Sequence, residues 1–272
     1  MRESSIRLRH AIIDYLNEVG SVVSVRNVFY AMVVRNQVDK TKDAYRRVQY
    51  QLKRMRQDGT IPYHRIADNH RWQIKPKTYN SLRDAMDEWQ QAYRRDIWAG
   101  HSVYVEIWVE KDALASVISD VTWNWNVPLI VVRGYSSITF LHTAAETIKE
   151  IGKPAYIYHF GDHDPSGVDA SNKIERGLKD FGANIHYKRI AVTLEQIHEY
   201  NLPAHEIVEG DPRNKKWGSK PVVELDALPV PVLKGLVEDC IKQHIDDELI
   251  GRIETIEKAE FETLEKMHQA FF

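Results

Sequence analysis

A chain of 272 residues that is 43% hydrophobic and 28% charged has the composition of an ordinary globular protein, long enough for one large core or two smaller ones. Its longest apolar run, VPLIVV at 127–132, is far too short to cross a bilayer, MRESSIRLRH lacks the apolar centre of a secretory signal, and a lone cysteine, Cys240, excludes an internal disulfide or a cysteine-clustered zinc site; a cytoplasmic setting with no membrane partner is expected. The formal net charge of −2 conceals a division, because residues 1–100 hold 19 Lys+Arg against 11 Asp+Glu, a net of +8, and the remainder holds 18 against 28, a net of −10. A basic first third joined to an acidic remainder suggests two modules, the first suited to a polyanion.

In chain order, SIRLRHAIIDYLNEV (5–19) places Ile6, Ile12, Ile13, Leu16 and Val19 at helical spacing and Gly20 closes it. RNVFYAMVVR follows with Ser24 as N-cap, then a third helix with Thr41 or Asp43 near its start and Gly59 as its stop. In TIPYHRIADNHRWQIKP two β-like runs flank Asp68-Asn69, a good turn pair. Three helices and a hairpin are the order of a winged helix-turn-helix, which lays its third helix in the DNA major groove. That helix carries Lys42, Arg46, Arg47, Lys53 and Arg54, with Tyr45 and Tyr50 between them, a pattern suited to phosphate contacts on double-stranded DNA. The plain alternative is a solvated basic helix; element order and charge together favour DNA.

Residues 77–100 form a connecting segment, where Leu82, Met86, Trp89, Tyr93 and Ile97 recur every three or four positions and predict an amphipathic helix packed between modules. From 101 onward strand-like and helical stretches alternate, which predicts a mostly parallel sheet with helices on both faces. HSVYVEIWVE fits awkwardly, because its polar–apolar alternation is unlike a central parallel strand.

Ligands in open parallel sheets collect at the carboxyl ends of the strands. Glu110 ends the first strand of this module, and Asp162 and Asp164 end the third, in AYIYHFGDHDPSG. Three carboxylates at one edge suit Mg²⁺, whose charge relieves their mutual repulsion and serves phosphate chemistry. A calcium loop is excluded, since its twelfth position would be Lys173 rather than Glu. An acidic turn capping the next helix through Asp164 or Ser166 is the remaining alternative, and Glu110 at a matching strand end favours metal. Glu106, on the same face as Glu110, ranks below these three.

Together these motifs resemble a known family. V-E-K-D-A at one strand end and G-D-x-D-P-S-G at another resemble the Toprim domain of topoisomerases, primases and some nucleases. In order and extent the chain is similar to the A subunit of topoisomerase VI and the related meiotic protein that makes double-strand breaks. SVRNVFYAMV matches their Arg-x-x-(Phe/Tyr)-Tyr pattern at Arg26 and Tyr30, RGYSS resembles their Gly-Tyr loop, and VVELDAL resembles a Glu-Leu-x-Ala-Leu segment at Glu224 to Leu228. The Gly-Tyr loop departs from the family in continuing with Ser136 and Ser137.

The resemblance implies an α/β chain with a winged helix over 1–76, a connecting helix over 77–100 and a Toprim domain with a C-terminal helical extension over 101–272. It further implies cleavage of DNA by Tyr30 with Mg²⁺ on Glu110, Asp162 and Asp164, leaving a 5′-phosphotyrosine link. Arg26, one turn before Tyr30, would stabilise the charge that develops. In relatives the tyrosine of one protomer meets the metal of the other, which implies a homodimer. His163 is expected to be a bystander. No Walker motif is present, so any ATP gating needs a separate subunit. Hydrolysis by metal-activated water, as in a DNA-cleaving defence subunit, and a non-catalytic DNA-binding module are the competing readings.

Overall fold

In the computed structural model, residues 3–67, 76–205, 217–218 and 220–271 are described. Helix α1 (Glu3–Val19) buries Leu8, Ile12, Tyr15 and Leu16, one stripe at spacings of three and four, and stops at Gly20, whose φ of +66° only glycine adopts without strain. Helix α2 (Val25–Val34) begins with a capping box, in which the Ser24 hydroxyl accepts from the Asn27 amide and the Asn27 side chain accepts from the Ser24 amide. Helix α3 (Lys42–Gln57) is capped by Thr41 and buries Ala44, Val48, Leu52 and Met55.

The first β-like run after α3 is instead a 3₁₀ turn (Tyr63–Arg65) leading into a single parallel bridge between Ile66 and Val23. The expected turn at Asp68-Asn69 and the second run lie outside the described residues.

Helix α4 (Leu82–Ala92) is shorter than the 77–100 segment and buries none of its residues, with Leu82 and Trp89 71% and 70% exposed. Its apolar stripe therefore does not fill the space between modules. The chain leaves the helix after Ala92 because distant partners hold it extended. The Arg95 amide donates to Glu257 at 2.7 Å, Tyr93 and Arg95 both bond Glu260, and buried Trp98 donates its indole N–H to the Trp125 carbonyl.

The remainder is α/β. Strands β1 (Tyr104–Val109), β2 (Leu129–Val131), β3 (Ala155–Phe160) and β4 (Ile185–Ala191) form a four-stranded, all-parallel sheet in the order β2-β1-β3-β4. The connections contain α5 (Asp112–Asn124), α6 (Ile138–Ile151) and α7 (Pro165–Asp180), and after β4 come α8 (Leu194–Glu199), a 3₁₀ turn (Leu225–Ala227), α9 (Val230–Lys242) and α10 (Asp247–Phe271).

On one sheet face Trp108, Ile157 and Ile185 pack with Leu141, Ile148, Ile174 and Leu178. On the other, Ile107, Val109 and Phe160 belong to a buried cluster that continues through α5 and α9 into α1, α2 and α3. The helices of the basic third thus share apolar contacts with the sheet edge. Glu106 explains the odd pattern of β1. It is buried in a central strand, and its carboxylate accepts from Tyr104 Oη at 2.8 Å and Trp108 Nε1 at 2.6 Å, two neighbours on its own face. Among the described residues no helix is long and apolar enough to cross a membrane.

Candidate active site

Adjacent parallel pairing of β1 and β3 places Val109 opposite Phe160, so both strands deliver their next residues to the same edge. The Glu110 amide donates to the Phe160 carbonyl, and the Asp162 amide donates back to Glu110 Oε2 at 3.0 Å. Asp164 is the N-cap of α7, its Oδ1 accepting from the Gly167 amide at 2.6 Å, with Pro165 opening the helix. Capping and proximity to Glu110 are therefore both properties of Asp164, not alternatives.

Three oxygens converge on Gly167. A methyl group there would stand 2.6 Å from the Asp162 carbonyl, 3.3 Å from Asp164 Oδ1 and 3.3 Å from Glu110 Oε2. Burial, reinforced by Asp162, holds the Glu110 carboxyl above its ordinary value. Hard oxygen donors of this kind are those Mg²⁺ takes. Asp162, however, already engages its Oδ1 with the Leu225 amide at 2.8 Å and Lys111 Nζ at 3.0 Å. Among the described residues no three His, Cys, Asp or Glu side chains form a coordination-ready group.

Lys111 is central to this edge and escaped the sequence-based expectations. Its ammonium lies 2.8 Å from Asp226, 3.0 Å from Asp162 and 3.2 Å from Glu224. Burial pulls an ammonium down, but Asp226 and Asp162 more than offset it and hold Lys111 above its usual value. Asp226, almost wholly buried, also accepts from Ser24 Oγ at 2.8 Å, and its carbonyl accepts from Asn27 Nδ2 at 3.0 Å. The capping residues of α2 are thus bonded directly to the segment that neutralises Lys111. The sequence signals nearest to it were V-E-K-D-A, whose lysine is Lys111, and the Glu224–Leu228 segment.

Helix α2 carries Arg26 and Tyr30 one turn apart. Tyr30 is 3% exposed, and its Oη lies 2.6 Å from His205 Nε2. Burial pushes its phenol up, with Arg26 pulling the other way. The Arg26 guanidinium pairs with Glu224 and sits over the Tyr45 ring, 5.9 Å from its centroid. A cavity of about 580 Å³ opens beside the phenol, with Arg26, Lys40, Lys42, Tyr45 and His205 in its wall. A second cavity of about 730 Å³ takes in Glu110, Lys111 and Asp162, with Gln49 and Arg56 of α3 opposite. Arg26, Tyr45 and Glu224 line both, so the cavity beside the phenol and the one beside the carboxylates adjoin across these three residues.

Lys42, Arg46, Arg47, Lys53 and Arg54 are all exposed on α3. Lys42 lines the first cavity and Gln49 and Arg56 the second; by helical spacing Lys53 shares their face of α3, while Arg47 and Arg54 lie further round. His163 is buried, its Nδ1 bonded to the Val192 carbonyl and its backbone paired with Val223. No family model and no curated protein matches the chain.

Proposed function

We propose that the chain is a DNA-cleaving enzyme of the topoisomerase VI A-subunit type, a winged helix joined to a Toprim domain. Tyr30 is its nucleophile. The phenolic oxygen attacks a backbone phosphorus, the new O–P bond forms as the bond to the 3′ oxygen breaks, and a 5′-phosphotyrosine link and a 3′-hydroxyl result. Arg26 stabilises the charge on the phosphoryl oxygens. Glu110, Asp162 and Asp164 would hold Mg²⁺, which would supply positive charge beside the phosphate. Lys42, Arg46, Arg47, Lys53 and Arg54 bind double-stranded DNA along α3. Two copies of the chain cut the two strands, and a separate ATPase subunit supplies any gating by ATP.

The observation that carries this reading is the pair of adjoining cavities, one beside a tyrosine–arginine pair and the other beside the carboxylates, with residues of the basic helix lining each. A tyrosine serving only the core needs neither a cavity beside its hydroxyl nor an arginine one turn away.

The test is supercoiled plasmid incubated with the protein and Mg²⁺, stopped with detergent and resolved with and without protease. Breaks that run as free DNA only after protease, and that disappear in Tyr30→Phe, are the expected result. Breaks that survive Tyr30→Phe and disappear in Asp162→Ala replace it with hydrolysis by metal-activated water. DNA binding without breaks leaves a binding module.

A further inference from the structure

We infer that His205 is the general base that removes the phenolic proton of Tyr30. This rests on the reading of Tyr30 as nucleophile and assigns the missing half of its activation. The phenol is neutral and buried, and burial disfavours its anion more than Arg26 favours it. A phenol so placed becomes a competent nucleophile only if its proton leaves as the new bond forms, which requires an acceptor within hydrogen-bond reach.

His205 Nε2, at 2.6 Å from Oη, is that acceptor. The other basic side chain beside the ring, Lys40, holds its Nζ 5.7 Å from the ring centroid and donates to the Pro203 and Ala204 carbonyls, so as an ammonium it has no lone pair to offer. Burial, aided by Lys40, Arg26 and Lys111, pulls His205 down to about 4, which keeps the imidazole neutral and its lone pair available at physiological pH.

The placement of His205 is built and not incidental. Its backbone amide donates to the Val222 carbonyl at 2.6 Å, and the next residue, Val223, exchanges two backbone hydrogen bonds with His163. One short ladder therefore positions the imidazole and the Asp162–Asp164 turn together. Glu224 Oε1 lies 3.9 Å from Nε2, near enough to stabilise the imidazolium once it forms. In the step itself the Oη–H proton passes to Nε2, the oxygen's electron pair forms the bond to phosphorus, and the 3′ oxygen departs and takes its proton from water. The groups facing His205 are Tyr30 and Arg26 of α2, Lys40, Lys111 and Glu224; an entering phosphate offsets the three cations and raises the basicity of the imidazole as the reaction begins.

The experiment measures the rate of covalent protein–DNA adduct formation for the full chain, His205→Ala, His205→Gln and Tyr30→Phe, with DNA affinity measured alongside. The expected result is a fall of about 10²–10⁴-fold in both His205 variants with affinity within about twofold of wild type, and partial recovery of His205→Ala in added imidazole. A wild-type rate in His205→Ala overturns the inference and leaves Tyr30 as nucleophile. A wild-type rate in His205→Gln, which keeps a hydrogen bond but cannot accept the proton, also overturns it in favour of a positioning role. Cleavage undiminished in Tyr30→Phe removes the phosphotyrosine reading, and this inference with it.

Discussion

The two adjoining cavities solve opposite electrostatic problems. Around Tyr30, the cations Arg26, Lys40 and Lys42 surround a neutral hydroxyl bonded to a neutral imidazole. At the sheet edge, Asp162, Glu224 and Asp226 crowd round the Lys111 ammonium, with Glu110 beside them and Arg26 also paired to Glu224. Cations outnumber the one carboxylate, Glu224, in the first cavity, whereas carboxylates and cations are interleaved in the second, with Lys111 as the internal counterion of three of them. On the proposed reading, substrate and metal would each bring charge that the protein leaves out, and α2 is tied to the carboxylate side through Ser24, Asn27 and Asp226.

The sharpest way to break that contrast is to remove Lys111. Lys111→Met leaves Asp226 buried beside Asp162 and Glu224 without its counterion, and loss of one partner from such a cluster costs about 3–5 kcal/mol. Chemical denaturation in Mg²⁺-free buffer is expected to show a drop of this order, and a loss below 1 kcal/mol would mean that Lys111 does not hold the edge together.

Gly167→Ala comes next, because it intrudes where three oxygens meet. The added methyl lies 2.6 Å from the Asp162 carbonyl, a backbone atom that cannot swing aside. Overpacking of this kind costs about 1–3 kcal/mol, and the better helix propensity of alanine recovers no more than about 1. Gly177→Ala is the control. Its methyl also lies 2.6 Å from a neighbour, but that neighbour is Leu141 Cδ1, the end of a flexible side chain. Calorimetry should show Gly167→Ala melting well below wild type and Gly177→Ala close to it, and Mg²⁺ should raise the melting temperature of Gly177→Ala but not of Gly167→Ala.

What the sequence disclosed, and what it withheld, follows from the range of the interactions. Ser24, Thr41 and Asp164 were legible as helix starts because a cap bonds an amide three residues away. Glu110 and Asp162 could be placed at one edge because parallel strands end on the same side. Glu106 misled, since alternation reads as a half-exposed strand when its polar member is in fact satisfied by Tyr104 and Trp108. The end of α4 was hidden because its partners lie on α10, over 160 residues on. Lys111 with Asp226 and Tyr30 with His205 are separated by 115 and 175 residues, and no local pattern signals a contact between residues so far apart in the chain.

Lys40 sharpens the contrast through its pH dependence. Burial lowers its ammonium from the ordinary 10.5 to about 8, so between about 8 and 10.5 the unfolded chain binds more protons than the folded one. Stability contributed by this group therefore rises with pH across that window. Lys40→Met is expected to remove that rise, seen as a flatter denaturation free energy between pH 8 and pH 10. An unchanged slope would show that Lys40 is as well solvated as a surface lysine.

The smallest expected effect concerns the helix that lines both cavities. Each exposed lysine or arginine of α3 that neutralises one DNA phosphate adds about 0.9 to the slope of log affinity against log salt, which is roughly a 3.5-fold change between 50 and 200 mM. Lys53 lies on the face that lines the cavities and Arg47 further round, so the two separate DNA that lies against the cavities from DNA that only crosses the outer surface of the helix. If the duplex lies against the cavities, Lys53→Ala lowers the slope by about 0.9 and Arg47→Ala lowers it less, in fluorescence-anisotropy titrations at several salt concentrations. Equal losses would place the duplex across the whole exposed face. A loss confined to Arg47→Ala would set it on the outer side, away from Tyr30, and the cavities would then have to serve something other than the DNA backbone.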